Sequence, residues 1–340
     1  MIKPKIFLSK KTIIIAEACD NHFGSLDNAK EMVVNAKKAG ADVIKFQHHL
    51  PEEEMLPVVP RSKNFKISLF EFLKKYSLKL KDHYDLKDFC KKKKIEYLCT
   101  PFSYKAAEEL NEMGVGWFKI GSGEFTDLPF IEKLLKFNKP TILSSGMSSQ
   151  KEIKMVYDFI LKQKNKNIAF MNCTSEYPPI HKDINLNYIP KMIKNFPNVT
   201  IGHSDHTNDI FTCFGAVSLG AKIIEKHVNL KNKNFGPDKD VSIGFDSFKT
   251  LVKGIRILEQ SLGSEKKIYP KERIIRKWAR RSIVAIKDIP KNKIIDKNDI
   301  WSKRPGTGIP SQFLKKLLGK KAKSNIKINT LIKKSQIQSK

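Results

Sequence analysis

Two histidines end short β-branched runs in the same way. Val199-Thr200-Ile201 leads into Gly202-His203-Ser204-Asp205-His206-Thr207, and Lys222-Ile223-Ile224-Glu225-Lys226 ends on His227. If the runs are successive parallel strands, His206 and His227 project from neighbouring strand ends into one site. Two imidazoles so placed can hold a divalent cation and leave positions open for a substrate. A lone histidine at such a place is most often a loop residue bonded to backbone. Two at matching positions, among other polar strand ends, favour a site.

Those other ends carry complementary chemistry. Short apolar runs stop at Glu17, at Lys45-Phe46-Gln47, at Cys99-Thr100, at Lys119 through Gly121-Ser122-Gly123-Glu124, at Ser144-Ser145 and at Asn172-Cys173-Thr174-Ser175. Lys45 and Lys119 among hydroxyls (Thr100, Ser122, Ser144, Ser175, Ser204) suit an anion bearing a phosphate and a carboxylate. A cation on imidazoles suits polarisation of a carbonyl oxygen. Glu17 or Glu124 suits removal of a proton from water or a hydroxyl. Together these describe carbon–carbon bond chemistry on a phosphorylated small acid and an aldehyde. The hydroxyls sit in no nucleophile elbow. Gly121-Ser122-Gly123-Glu124 lacks the third glycine and following helix of a dinucleotide fingerprint, and no Walker loop follows a strand.

The elements that must position these residues repeat. Eight apolar runs, from Ile13-Ile14-Ile15-Ala16 to the run ending at His227, alternate with segments of helical period such as Ala29, Met32, Val33, Ala36 and Ala39. Ser25 is placed to cap that helix and Gly40 to end it. Eight strands alternating with helices predict an α/β fold, a (β/α)8 TIM barrel over 1–263, with its site at the C-terminal strand ends. The alternative is an open doubly wound sheet. A long connection, His48 to Leu80, holds Pro51, Pro57, Pro60 and Glu52-Glu53-Glu54, with a helix expected over Leu69 to Leu78. Residues 264–279 read as a charged linker. From 280 to 340 short strands (Ser282 to Ala285, Ile294-Ile295, Ile300-Trp301), the turn Arg304-Pro305-Gly306-Thr307-Gly308 and a short helix, Gln312 to Leu318, predict a separate small domain. At that size its core is marginal, so docking on the barrel or on a second subunit is expected.

Composition narrows the partners. The 64 basic residues outnumber the 35 acidic ones, giving a formal charge of +29, but only seven are Arg. With lysines spread along the chain and no clustered Arg forks, the charge reads as a solvated surface, not a nucleic-acid interface. Five cysteines without C-x-x-C spacing read as free thiols in a reducing compartment. The first apolar run is too short for a signal segment, and no apolar stretch reaches membrane-spanning length. A cytoplasmic protein without membrane or nucleic-acid partners is expected.

The motifs, taken together, resemble the N-acetylneuraminate (sialic acid) synthase family. They are Ile15-Ala16-Glu17 with Asn21-His22, Lys45-Phe46-Gln47, Thr100-Pro101-Phe102, Lys119-Ile120-Gly121-Ser122-Gly123-Glu124, Ser145-Gly146-Met147, Ser204-Asp205-His206-Thr207, Glu225-Lys226-His227 and Gly236-Pro237-Asp238. The tail, from Arg281-Ser282 through Lys303 to Ile309, resembles that family's antifreeze-like (SAF) domain of β-clip type. The resemblance implies condensation of phosphoenolpyruvate with an open-chain N-acylated amino sugar, releasing phosphate and giving a nine-carbon 2-keto acid. It implies Mn2+ or Mg2+ on His206 and His227. Lys45, Lys119, Ser122, Thr100, Ser144 and Ser204 would hold phosphoenolpyruvate. Glu17, Gln47, Tyr177 and Asp238 would face the sugar, with Glu17 or Glu124 handling the proton. The sequence departs from the family at Cys19-Asp20, Phe23, His48-His49 and Ser175, which touches the choice of sugar: N-acetylmannosamine or a 2,4-diacetamido-6-deoxy hexose. Arg304, the only Arg after Arg281, sits on a rigid Pro-Gly turn, and the resemblance implies a domain-swapped homodimer in which it completes a neighbour's sugar site. The competing activity is another phosphoenolpyruvate-dependent barrel aldolase, acting on an aldose phosphate.

Overall fold

A computed structural model describes residues 11–58, 67–165, 167–231 and 238–338. Pro60, Gly236 and Pro237 lie outside the described residues. The chain divides into two compact units, 1–263 and 264–340.

The first unit is a (β/α)8 barrel. Its parallel strands are β1 (Ile13–Glu17), β2 (Val43–His48), β3 (Glu96–Pro101), β4 (Phe118–Ile120), β5 (Thr141–Ser144), β6 (Ile168–Cys173), β7 (Thr200–Asp205) and β8 (Ile223–Asn229). They hydrogen-bond in the order β3-β2-β1-β8-β7-β6-β5-β4. The Trp117 indole, just before β4, donates to the Tyr97 carbonyl in β3 at 3.2 Å and so crosses the remaining seam.

Strand periodicity sorts each run into two faces. The inward set begins with a dry floor of Ile13, Ile15, Val43, Leu98, Trp117, Ile142, Ala169, Met171 and Ile223. Two residues further along the same faces come Glu17, Lys45, Thr100, Lys119, Ser144, Cys173 and Glu225. The outward set (Ile14, Ala16, Ile44, Phe46, Phe118, Ile120, Leu143, Phe170, Ile224) packs under the helices in the main core. Apolar residues thus fill the bottom of the barrel, and polar ones are carried to its top.

The helices follow local chemistry. Leu26–Ala39 is capped by Ser25, whose side chain accepts from the Asn28 amide, and ends at Gly40 with φ +91. A side chain is strained in that left-handed conformation. Its buried face is Ala29, Met32, Val33, Ala36 and Ala39, the set expected from spacing. In the long connection, Pro51–Glu54 and Leu69–Tyr76 are helical, the latter with a Ser68–Glu71 capping box.

The second unit is built on the antiparallel pair Ser282–Ala285 and Ile300–Lys303. Ile283, Ala285, Ile289, Ile295, Ile300, Leu317, Ala322, Ile326, Ile332 and Ile337 form its core. Two sequence expectations change here. Ile294-Ile295 makes only a single bridge, Ile294 to Lys321, because turns at Pro290–Lys293 and Asp296–Asp299 leave no length for a strand. The expected helix after Pro310 is a 3-10 helix, Ser311–Lys316. The segment read as a linker holds the helix Pro270–Ala279. Pro270 lies at its first turn, and the Glu272 carboxylate accepts from the Tyr269 amide at 2.9 Å. Among the described residues no helix is long and apolar enough to cross a membrane.

Candidate active site

A cavity of about 360 Å³ opens at the C-terminal ends of the barrel strands. Glu17, Lys45, Gln47, Thr100, Lys119, Ser122, Ser144, Ser175, Tyr177, Ser204, His206, His227 and Asp238 all line it, as do Phe102, Met147, Cys173 and Glu225. Adjacent strands bring the first group level, since Glu17 is paired with Lys45 on β2 and with His227 on β8. Glu124 stands apart. The turn after β4 aims it at a neighbouring cavity lined by Glu53, Glu54, Phe102 and Gly123.

Glu225 is the hub of the deep half. Its Oε1 meets Lys45 Nζ at 2.9 Å and Lys119 Nζ at 3.1 Å, and accepts from Ser204 Oγ at 3.0 Å. Burial works to raise its pKa, but the two ammonium groups outweigh that and hold the carboxyl well below the usual range. Glu17 is different. Burial pushes it up to about 7, against the pull of Lys45 at 3.4 Å. Its Oε1 accepts from Gln47 Nε2 at 3.0 Å. Gln47 is in turn held by His49, whose Nε2 meets Gln47 Oε1 at 3.1 Å while Nδ1 meets Glu54 at 3.0 Å. His49 also stacks on Phe102 with centroids 4.2 Å apart. The start of the long connection therefore fixes the amide that faces Glu17.

The shallow half contains the imidazoles. His206 and His227 have ring centroids 5.1 Å apart. His206 Nδ1 donates to the Thr174 carbonyl at 2.7 Å, so in the neutral ring the lone pair is on Nε2, which faces the Tyr177 hydroxyl at 3.3 Å. Cys173 Sγ lies 3.9 Å from the same imidazole. Burial opposes both charges, but across this contact each favours the other, taking Cys173 down to about 7 and His206 up to about 9. His227 is kept neutral by burial and by the neighbouring His206.

Many polar atoms here have no hydrogen-bond partner. Glu17 Oε2, Thr100 Oγ1, Ser144 Oγ, Glu225 Oε2 and His227 Nδ1 are buried without a hydrogen bond. Each such group costs about 1–3 kcal/mol when left unsatisfied. A ring of them at one level is what a polar ligand would complete. Space is kept for it too. A Cβ on Gly146 would come within 2.7 Å of Ser122 Oγ, and would also strike Ser175 Oγ.

The NeuB family matches residues 32–267, and the SAF domain matches residues 280–338. The chain belongs to the NeuB family. With that membership it is an enzyme, a transferase of the sialic acid synthase type. It is 40% identical over 315 residues to an uncharacterized protein of Methanocaldococcus jannaschii, covering 92% of this chain and 91% of that one. It is 37% identical over 333 residues to the N,N'-diacetyllegionaminic acid synthase of Campylobacter jejuni, covering 95% and 99%. Among solved structures, the N-acetylneuraminic acid synthetase of Leptospira borgpetersenii in complex with citrate superposes with a TM-score of 0.71 at 30% identity, covering 78% of this chain and 90% of that one.

The cavity also contains residues that the sequence did not single out as candidates for the site. Glu225 lies mid-strand, two residues before His227 and on the same face; the period-two rule would have found it. Cys173 follows Met171 by the same rule. His49 stands out in the sequence as a departure from the family and Glu54 as part of an acidic run, but their partnership carries no signal, because it depends on a four-residue helix.

Proposed function

We propose that this NeuB-family chain condenses phosphoenolpyruvate with an open-chain N-acyl amino sugar to give a nine-carbon 2-keto sugar acid and phosphate. The observation that supports it is the division of one cavity into a dilysine half with free hydroxyls and an imidazole half, with Glu17 between them. Lys45 and Lys119, with Thr100, Ser122, Ser144 and Ser204, would take the carboxylate and phosphate of phosphoenolpyruvate. The lysines are neutralised in part by Glu225 and exchange some of that contact for the substrate anion.

The imidazole half suits a divalent cation, Mn2+ or Mg2+. His206 can present Nε2, and His227 Nδ1 is buried and without a hydrogen-bond partner. Such an ion, when bound, supplies Lewis-acid polarisation of the aldehyde oxygen. Tyr177, Gln47, Ser175 and Asp238 would orient the sugar. Bond formation joins the methylene carbon of phosphoenolpyruvate to the aldehyde carbon, water adds at the carbon bearing the phosphate, the proton that water gives up passes on to the former aldehyde oxygen, and the carbon–oxygen bond to phosphate then breaks to leave the keto group. Glu17, poised at about 7, takes the proton of that water. Glu124 serves the neighbouring cavity in this reading, and the water's proton passes to Glu17.

The acceptor is N-acetylmannosamine or a 2,4-diacetamido-6-deoxy hexose, and the enzyme works in the cytoplasm as a homodimer. Arg304, whose guanidinium lies 5.5 Å from the centre of the Trp278 ring, would reach the sugar site of the second chain. An end-point assay of phosphate release from phosphoenolpyruvate against both sugar classes tests the reaction. Release with an aldose phosphate, and with neither amino sugar, would establish the aldolase alternative. Mixing Arg304→Ala with His206→Ala subunits tests the dimer: activity returns on subunit exchange only if Arg304 acts in trans.

A further inference from the structure

The turn after β1 brings a thiol to the imidazole half. Cys19 is fully buried with φ +38. Its Sγ, a His227 ring nitrogen and an Asp238 carboxylate oxygen all lie within 4.8 Å of one another. No other cluster of three potential ligands this tight occurs among the described residues. His227 Nδ1, 3.9 Å from Asp238 Oδ2, is the buried ring nitrogen without a hydrogen-bond partner noted above.

Cys19 and Asp238 share a side-chain hydrogen bond, and further bonds tie together the turns that carry the three groups. Asn21 Nδ2 donates to the Val228 carbonyl at 2.9 Å and to Ser242 Oγ at 3.0 Å. Ser242 Oγ in turn donates to the Asp238 carbonyl at 2.7 Å. The β1 turn, the end of β8 and the turn at Asp238 are thereby tied into one block, two residues from Cys19 and one from His227. A ligand set positioned by outer hydrogen bonds is the usual construction of a metal centre.

We infer that the cation placed beside His227 also takes Cys19 Sγ and one oxygen of Asp238, whose other oxygen is left for the sugar, so that a thiolate–imidazole–carboxylate set with His206 at a further position selects a borderline-soft divalent ion such as Zn2+ or Co2+ over Mg2+. Mg2+ takes oxygen ligands in octahedral geometry and gains little from sulfur, whereas one sulfur, one nitrogen and one oxygen with positions left open suit Zn2+ or Co2+. Binding exchanges the thiol proton for the metal, and that proton leaves to solvent. The inference deepens the proposed function and rests on it only in placing a divalent cation beside His227.

The test is optical and needs no turnover. Full-length metal-free protein is titrated with Co2+ alone, and the near-ultraviolet sulfur-to-cobalt charge-transfer band is recorded beside the visible d–d bands. The wild type is expected to show the band at one Co2+ per chain. Cys19→Ser should lose it and weaken Zn2+ on the order of 10–100-fold, with Mg2+ affinity unchanged. Cys173→Ser, which removes the other thiol near the imidazoles, should keep the band. Absence of the band in the wild type overturns the inference, as does its survival in Cys19→Ser or its loss in Cys173→Ser. Should Cys19→Ser not fold, the wild-type and Cys173→Ser spectra still decide. A chain that forms the Co2+–thiolate band but releases no phosphate with any sugar overturns the reaction alone.

Discussion

β7 and β8 bury two carboxylates, one on each face of the same pair of strands, and the two are finished differently. Asp205 faces the helices. Its Oδ2 accepts from Lys226 Nζ at 2.7 Å and from Thr207 Oγ1 at 2.8 Å, its Oδ1 accepts from the Thr207 amide at 3.3 Å, and His203 Nε2 stands 3.7 Å away. Glu225 faces the cavity, with three donors crowded on Oε1 and none on Oε2. Both acids are held below their ordinary range against burial, Asp205 by His203 and Lys226, Glu225 by the two lysines. The electrostatics are alike; what differs is satisfaction. A carboxylate with both oxygens satisfied is one the fold uses for itself, and a half-open one is waiting for a ligand.

Chelation should separate the two faces most sharply. EDTA is expected to reduce phosphate release to background and added Mn2+ to restore it, while the far-ultraviolet circular dichroism stays unchanged because Lys226 and Thr207 already satisfy Asp205. Full turnover in a metal-free preparation breaks the assignment of His206 and His227. Next in size is Lys226→Met, which leaves Asp205 buried and unpaired and should cost on the order of 3–5 kcal/mol in urea unfolding. Residual folded protein should still bind phosphoenolpyruvate with unchanged affinity. A substitution that abolished binding without loss of stability would show that the outward face is functional after all.

Glu17→Gln reverses that pattern. A carboxyl whose folded pKa of about 7 exceeds its ordinary 4.5 binds its proton more tightly in the folded state. Its contribution is therefore greatest below pH 4.5, declines as pH rises, and is level above 7. The variant removes that decline, so its stability relative to wild type should grow by roughly 3 kcal/mol between pH 4.5 and 7, while turnover falls about 10²–10⁴-fold. A pH-independent difference would mean that Glu17 titrates normally. Lys119→Ala, the mildest, leaves Glu225 with Lys45 and Ser204 and should change stability little. It should raise KM for phosphoenolpyruvate about 10–100-fold, the scale of one charge-assisted hydrogen bond, and that for the sugar much less. Equal effects on both constants would remove Lys119 from the anion site.

The contrast between faces also explains what could be read in advance. Glu17, Lys45, Gln47, Lys119, Ser144, His206 and His227 interrupt or end apolar runs, so the eight strands and the residues at their tips were legible together. Asp205 and Lys226 belong to the same motifs, yet strand alternation turns them away from the cavity, and motif membership alone hides that difference. Glu225 was hidden for the converse reason, lying within a run whose last residue drew the attention. Glu124 shows the limit at a turn: its position after β4 is plain, but the backbone of 121–124 decides which cavity it enters. Arg304 lies in a compact unit of its own, and no residue pattern states which barrel it would serve. The contact of His49 with Glu54 depends on the local backbone of a four-residue helix that neither periodicity nor composition encodes.

The pairing of Glu17 with both Lys45 and His227 has a bearing on how this protein can change. Inserting or deleting a single residue in β1 would exchange its faces, sending Glu17 among the helices and Ala16 into the cavity. Length is thus frozen inside the strands and free in the turns that follow them. Directed evolution toward a new sugar should accordingly yield variants in the segments after β2, β6 and β8. Libraries that shift strand length should return only unfolded or inert chains.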